Sequence, residues 1–305
     1  MQNIELLNKQ FGITEKLHFT IEEDGFIVAN INNQFSTARI STYAAQVLSF
    51  KPKSEEHDLI FLSEQAVYKA GKAIRGGIPI CWPWFGDDTS GLGRPSHGFV
   101  RNQQWTVISS KLDSKGQVNI TLGFDVTNDT KAVWPYDFEL RLNIIVGQAL
   151  ELNLTTKNIG SETFTITQAL HTYFNISDIA NITVTGLDNK TYLDKLKDFA
   201  EDKQQGNVLI SQETDRIFQP VNKKVQLIDS VFDRTIDISA SGSETIVIWN
   251  PWTTAISTIA DLDSEDYRRF LCVETANTAQ DSVTIPAGKS HCISVNYSIA
   301  DLKSG

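Results

Sequence analysis

Glu139-Leu-Arg-Leu-Asn-Ile-Ile-Val146 and Leu150-Glu-Leu-Asn-Leu-Thr-Thr156 are the runs that decide the fold class of this chain. Apolar and polar residues largely alternate through both. Successive side chains of a strand point to opposite faces, so this alternation marks half-buried strands with one face on a core. The same rhythm continues outward, in Val118-Asn-Ile-Thr-Leu-Gly-Phe124 and in Thr163-Phe-Thr-Ile-Thr-Gln-Ala-Leu170. Turn-forming residues lie between such runs: Ser114-Lys-Gly116, Asn158-Ile-Gly160, Asp188-Asn189 and Ser241-Gly242, spaced for antiparallel hairpins and meanders. Helical pattern is scarce. Its better candidates are a short turn near Ser264–Arg269, capped by Asp263 or Ser264, and a stretch from Asp194 to Glu201. No linker, charge block or repeat divides the chain. The expectation is an all-β protein, one large antiparallel β-sandwich over residues 1–305 with a few short helical turns.

Composition narrows the function. The 305 residues are 41% hydrophobic, enough to bury a substantial core, and carry a formal charge of −10. A nucleic-acid partner demands a basic surface, so none is expected, and an anionic small substrate would need locally concentrated arginines. The N-terminal Met-Gln-Asn-Ile-Glu-Leu-Leu-Asn lacks the basic flank and apolar stretch of a secretory leader, and no apolar run is long enough to cross a bilayer. A soluble cytoplasmic protein is the expectation, with no membrane partner. Cys81, Cys272 and Cys292 are odd in number and sit in apolar sequence, which suits buried reduced thiols rather than a disulfide framework or a metal site.

The chemistry concentrates in Ala73-Ile-Arg-Gly-Gly-Ile-Pro-Ile-Cys-Trp-Pro-Trp-Phe-Gly86 and His97-Gly-Phe-Val-Arg101. Gly76-Gly77 would let backbone approach a ligand, Pro79 and Pro83 stiffen the segment, and Trp82, Trp84 and Phe85 offer flat faces of the kind that stack on sugar rings. Arg75 and Arg101 supply planar donor forks for phosphate or carboxylate. His171, in Leu170-His-Thr-Tyr-Phe-Asn175, is a candidate general acid or base; the plainer reading is a half-buried histidine bonded to backbone. Glu274, in Leu271-Cys-Val-Glu-Thr-Ala-Asn277, is a carboxylate in an apolar strand, costly to bury unless it works there; the alternative is that alternation turns it to solvent. Thr214-Asp215-Arg216 reads by default as a turn with a surface Asp–Arg pair, and Val247-Ile-Trp-Asn-Pro-Trp252 as a strand whose tryptophans pack inside. A histidine and a glutamate on facing strands, with aromatics nearby, describe a proton-transfer site for a sugar.

Together these blocks resemble the glucose-6-phosphate 1-epimerase (hexose-6-phosphate mutarotase) branch of the aldose 1-epimerase family, over most of the chain. The resemblance implies a galactose-mutarotase-like supersandwich whose concave sheet holds the substrate, with no metal or organic cofactor. It implies that His171 is the general acid and Glu274 the general base, that Arg75, Arg101 and Asp215 bind the sugar phosphate, and that His97 contacts a hydroxyl or the ring oxygen. Some relatives carry a glutamine immediately before the His-Gly-Phe block, where this chain has the shorter Ser96. The implied activity is interconversion of the α and β anomers of a hexose 6-phosphate; separately from the resemblance, a monomer is the expectation. A neutral-sugar aldose 1-epimerase and a non-catalytic carbohydrate-binding protein are the alternatives.

Overall fold

The computed structural model describes residues 3–22, 25–221 and 224–300. Phe138–Val146 and Leu150–Asn158 pair in antiparallel register, Leu142 opposite Leu154 and Ile144 opposite Leu152, and in both strands every second residue is buried. Each of those buried aliphatic side chains contributes about 1.5–3 kcal/mol relative to exposure. A one-residue slip would turn the whole set to water, so the pattern locks the register.

Around this hairpin an eight-stranded antiparallel sheet runs in the order Ile182–Thr185, Val225–Asp229, Arg234–Ser241, Ser290–Ile299, Leu150–Asn158, Phe138–Val146, Val118–Asp125, Thr106–Leu112. A second eight-stranded sheet runs Ala200–Lys203, Thr191–Asp194, Thr214–Phe218, Thr245–Asn250, Phe270–Asn277, Gln168–Leu170, Ile80–Cys81, with Tyr173–Asn175 also paired to Phe270–Asn277. Leu170, Phe174, Leu271, Val273, Ile246 and Ile248 of this second sheet and Leu152, Leu154, Ile293, Val295 and Tyr297 of the first join one contiguous core. A four-stranded sheet, from Leu17–Ile21 to Val47–Pro52, and a ribbon of Phe164–Ile166 with Val283–Ile285 complete the β structure. The fold is the expected large antiparallel β-sandwich.

Phe270–Asn277 is buried at every residue, so both of its faces are covered. Leu271 and Val273 join the main core, whereas Cys272 and Ala276 join two smaller apolar clusters on the other face. Alternation therefore places Glu274 on that second face, between the two clusters and away from bulk solvent.

Helical turns depart from expectation in detail. Asp194 does cap a 3-10 turn, Lys195–Lys197, but Asp198 and Phe199 then adopt left-handed backbone (φ 51° and 60°) and lead into the edge strand Ala200–Lys203 instead of continuing a helix. Near residue 264 the turn is Asp266–Arg268, and Asp266 accepts the Asp263 N–H. Three α-helices went unread: Ile4–Phe11, where the Asn3 side chain accepts from the Glu5 and Leu6 N–H groups, Asn128–Val133, closed by a Thr127–Thr130 capping box, and the single turn Trp252–Ala255. Cys81 and Cys272 are buried as expected, but Cys292 is exposed. It sits on the outward face of Ser290–Ile299, whose alternate residues Ile293, Val295 and Tyr297 point inward. Among the described residues no helix is long and apolar enough to cross a membrane.

Candidate active site

The register of the second sheet builds the site. Leu170 pairs with Thr275 and Tyr173 with Cys272, so the alignment carries across the two residues between them and puts His171 opposite Glu274. Ladder pairing lapses there, and the His171 N–H instead donates to the Pro79 carbonyl at 2.9 Å. His171 Nε2 lies 3.3 Å from Glu274 Oε1, with side chains 10% and 2% exposed. Among the described residues this is the only imidazole–carboxylate contact within 4.0 Å. His171 Nδ1 has no hydrogen-bond partner among the described residues and Glu274 is buried, so neither the backbone-bonded nor the solvent-facing alternative holds for the pair.

The pair forms part of the lining of a cavity of about 280 Å³, shared with Arg75, Arg101, His97, Asp215, Tyr173, Lys195, Trp249 and Phe85. All six residues singled out from sequence thus converge. Larger grooves, about 700 Å³ beside the N-terminal helix and about 480 Å³ near His291, contain no such acid–base contact.

Several neighbourhoods differ from their sequence reading. Thr214–Phe218 is a strand rather than a turn, and Asp215 is bound by Lys195 Nζ at 2.7 Å instead of by Arg216, which lies over the Tyr192 ring. Lys195 is a site residue that sequence reasoning missed; the pairs Leu193–Ile217 and Asp194–Arg216 bring it beside Asp215. Trp82 belongs to the core, fully buried against Phe138 and Trp134 with its indole N–H donated to Thr156. Trp84 is engaged by Arg94 and donates to the Pro95 carbonyl, so of the three aromatics only Phe85 reaches the cavity. Trp249 packs on Phe270 as expected of a core residue but also lines the cavity. Gly76 and Gly77 serve chain packing rather than ligand approach: a Cβ at 76 would meet the Phe61 carbonyl at 2.6 Å, and one at 77 the Val47 carbonyl at 2.4 Å.

Charge in the site follows from burial. Desolvation pushes the Glu274 carboxyl well above the usual carboxylate range, and the Asp215 charge adds to it against the pull of Lys195 and Arg101. Desolvation drives His171 well below the ordinary imidazole value, helped by His97, Arg101 and Arg75. His97 is pushed down to about 3, first by burial and then by Arg101, Lys195 and Arg75. Its Nδ1 accepts the Gly86 N–H at 3.3 Å, which leaves the Nε2–H as a donor. Burial also raises Asp215, which Lys195 opposes. For Arg75, Tyr173 and Asp261 outweigh the desolvation that disfavours its charge, so the guanidinium stays protonated. Burial thus shifts both members of the pair, 3.3 Å apart, toward their neutral forms. Glu274 Oε2 and Arg101 Nε are buried with no protein partner. Of the three cations that gather here, Lys195 is paired with Asp215 and Arg75 with Asp261, and Arg101 has no ion-pair partner among the described residues, which suits an anion.

The family model for aldose 1-epimerase matches residues 28–298. The chain belongs to the aldose 1-epimerase family. A protein of Escherichia coli K12 named "Putative glucose-6-phosphate 1-epimerase" is 36% identical over 244 residues, 80% of each chain. One of the same name from Cenchrus ciliaris is 34% identical over 261 residues, 83% of this chain and 78% of the relative. The crystal structure of a "putative mutarotase" from Salmonella typhimurium superposes with a TM-score of 0.87 at 31% identity, over 97% of this chain and 99% of that one. Membership makes the molecule a mutarotase-type enzyme acting on sugar anomers.

Proposed function

We propose that this epimerase interconverts the α and β anomers of a hexose 6-phosphate, glucose 6-phosphate foremost, with His171 and Glu274 moving the protons. The observation that carries the reading is the His171–Glu274 contact in a cavity that also presents Arg75, Arg101 and Lys195. The anomeric hydroxyl oxygen and the ring oxygen share one carbon and lie only about 2.3 Å apart, so groups 3.3 Å from each other can each reach one of them within hydrogen-bond range. At about 280 Å³ the cavity is near the lower end of small-molecule sites, which suits one hexose rather than an oligosaccharide.

Glu274 takes the proton of the anomeric hydroxyl while His171 donates to the ring oxygen, so the C1–O5 bond breaks and the aldehyde forms. Rotation about C1–C2 presents the other face; the reverse transfers close the ring to the second anomer. The charged form of the pair that starts this sequence is related to the neutral form by one proton hop. Sugar hydroxyls and a phosphate supply the solvation that burial removes and favour that charged form. Arg75 and Arg101 grip the phosphate, the far end of the molecule, so that binding there orients the ring. Asp215, held by Lys195, accepts a sugar hydroxyl, since a carboxylate would repel phosphate; the Nε2–H of His97 donates to another.

Anomer exchange measured by NMR for glucose 6-phosphate and glucose, each corrected for spontaneous mutarotation, tests this. A phosphorylated sugar preferred by at least tenfold in kcat/KM is expected. Equal rates would favour a neutral-sugar epimerase, and saturable binding without accelerated exchange a carbohydrate-binding protein.

A further inference from the structure

The anchor and the acid are physically connected. Arg75 donates through Nε to Asp261 Oδ1 at 2.9 Å and through NH1 to the Tyr173 hydroxyl at 3.1 Å. The Tyr173 ring lies nearly parallel to the His171 imidazole, 13° between planes with centroids 5.0 Å apart. Trp249 and His97 meet that imidazole edge-on, at 77° and 72°, so Tyr173 is the neighbour that sets its plane. The root of Arg75 is braced as well: the Ser63 N–H donates to the Arg75 carbonyl at 3.2 Å and the Ser63 hydroxyl to the Asp261 carbonyl at 2.7 Å. With the Arg75–Asp261 bond these close a ring of three contacts, and the guanidinium keeps its other N–H groups for a ligand.

Resting on the reading of Arg75 as a phosphate ligand, we infer that the 6-phosphate is an activator as well as an anchor: its hold on Arg75 fixes Tyr173, and Tyr173 fixes the His171 ring against Glu274. The binding energy of a nonreacting group is thereby used to order the reacting ones, which raises turnover and not only affinity. Tyr173, Asp261 and Ser63 are positioning residues in this arrangement, and a phosphate need not be attached to the sugar to work through them.

The test separates the two pieces. Glucose exchange is followed by NMR at fixed ionic strength with increasing inorganic phosphite, and the enzyme-free rate is subtracted at each concentration. In the wild-type enzyme phosphite should raise the rate saturably, by about tenfold for a modest gain in alignment. In Tyr173→Phe, which keeps the ring but removes the acceptor for Arg75, the ratio of rates with and without phosphite should fall to about one. Asp261→Ala and Ser63→Ala should each lower that ratio, whereas Asp261→Asn, which retains an acceptor, should restore most of it. No acceleration in the wild type, inhibition by phosphite, or an unchanged ratio in Tyr173→Phe overturns the inference; if Tyr173→Phe does not fold, Ser63→Ala decides. A preference for glucose 6-phosphate without phosphite activation of glucose would sink the inference alone. Equal turnover of the two sugars would sink the substrate reading beneath it.

Discussion

Replacing Glu274 by glutamine preserves size and shape at a side chain 2% exposed, and removes the group proposed to take the anomeric proton. A positioned acid or base contributes about 10²–10⁴-fold to such a reaction, equivalent to about 2.7–5.4 kcal/mol of barrier. Glu274→Gln should therefore lose at least a hundredfold in kcat. KM for a hexose 6-phosphate should change little, because the arginines proposed to grip the phosphate are untouched. His171→Asn should cost a similar factor. The double variant should be barely worse than either single one, since a base without its acid leaves half a mechanism. The glutamine can still hydrogen-bond across the 3.3 Å gap, so thermal unfolding should shift by only a few degrees. Two-dimensional exchange NMR of the anomeric protons reads the rates against the spontaneous baseline. A Glu274→Gln enzyme retaining more than about a tenth of wild-type turnover, or losses that multiply in the double variant, would refute the assignment of an acting pair.

Stability should carry the signature of the same two groups. The Glu274 carboxyl, raised by burial, holds its proton longer in the folded chain, so its contribution to stability is present below its ordinary 4.5 and is lost as pH rises above that value. The lowered His171 acts oppositely, costing stability below its ordinary 6.5, and Glu274→Gln removes the first contribution while leaving the second. Urea melts should therefore show wild type losing stability relative to Glu274→Gln as pH rises above 4.5; parallel curves would show that burial does not raise the carboxyl. Trp82→Ala should cost about 3–5 kcal/mol in the same melts, as expected of a fully buried aromatic, against at most about 1 kcal/mol for the partly exposed Trp84→Ala. Arg101→Leu should reduce kcat/KM for glucose 6-phosphate by about tenfold or more beyond any loss for glucose, because a hydrogen bond to a charged group is worth about 1.5–3 kcal/mol; equal losses for the two sugars would remove Arg101 from the phosphate site.

Periodicity made the back sheet legible because one of its faces is buried and the other is not. The strands Val118–Asp125, Phe138–Val146 and Leu150–Asn158 fall where the alternation lies. The aromatic run was harder, because type alone does not give direction. Cys81 lies in a small cluster with Ala169 and Ile217, so the next residue, Trp82, turns to the main core, and only Phe85 comes back to the cavity. Lys195 belongs to no motif; its partner is twenty positions away in sequence and becomes adjacent only through strand pairing. The helix Ile4–Phe11 buries a single residue, Leu7, so its apolar stripe is too thin to read. Arg75, Arg101, His97, His171, Asp215 and Glu274 were singled out individually, but the contact that gives two of them a joint role is a property of register.

Antiparallel pairing explains how one sheet can hold two largely buried carboxyls without destabilising itself. His171 faces Glu274 and Lys195 faces Asp215, so each of these two carboxyls meets a basic group from the neighbouring segment. A buried carboxyl alone would be costly, and paired it is tolerable. Apolar clusters on either side of this polar band, Phe61–Tyr173–Phe270–Cys272 and Cys81–Ala169–Val247–Ala276, keep the dielectric low, so a small change in surroundings suffices to move a proton across the pair. At this point the His171 N–H turns to the Pro79 carbonyl, while the Thr172 carbonyl still accepts the Val273 N–H at 3.3 Å, so the backbone stays anchored on both sides of the residue whose imidazole meets Glu274.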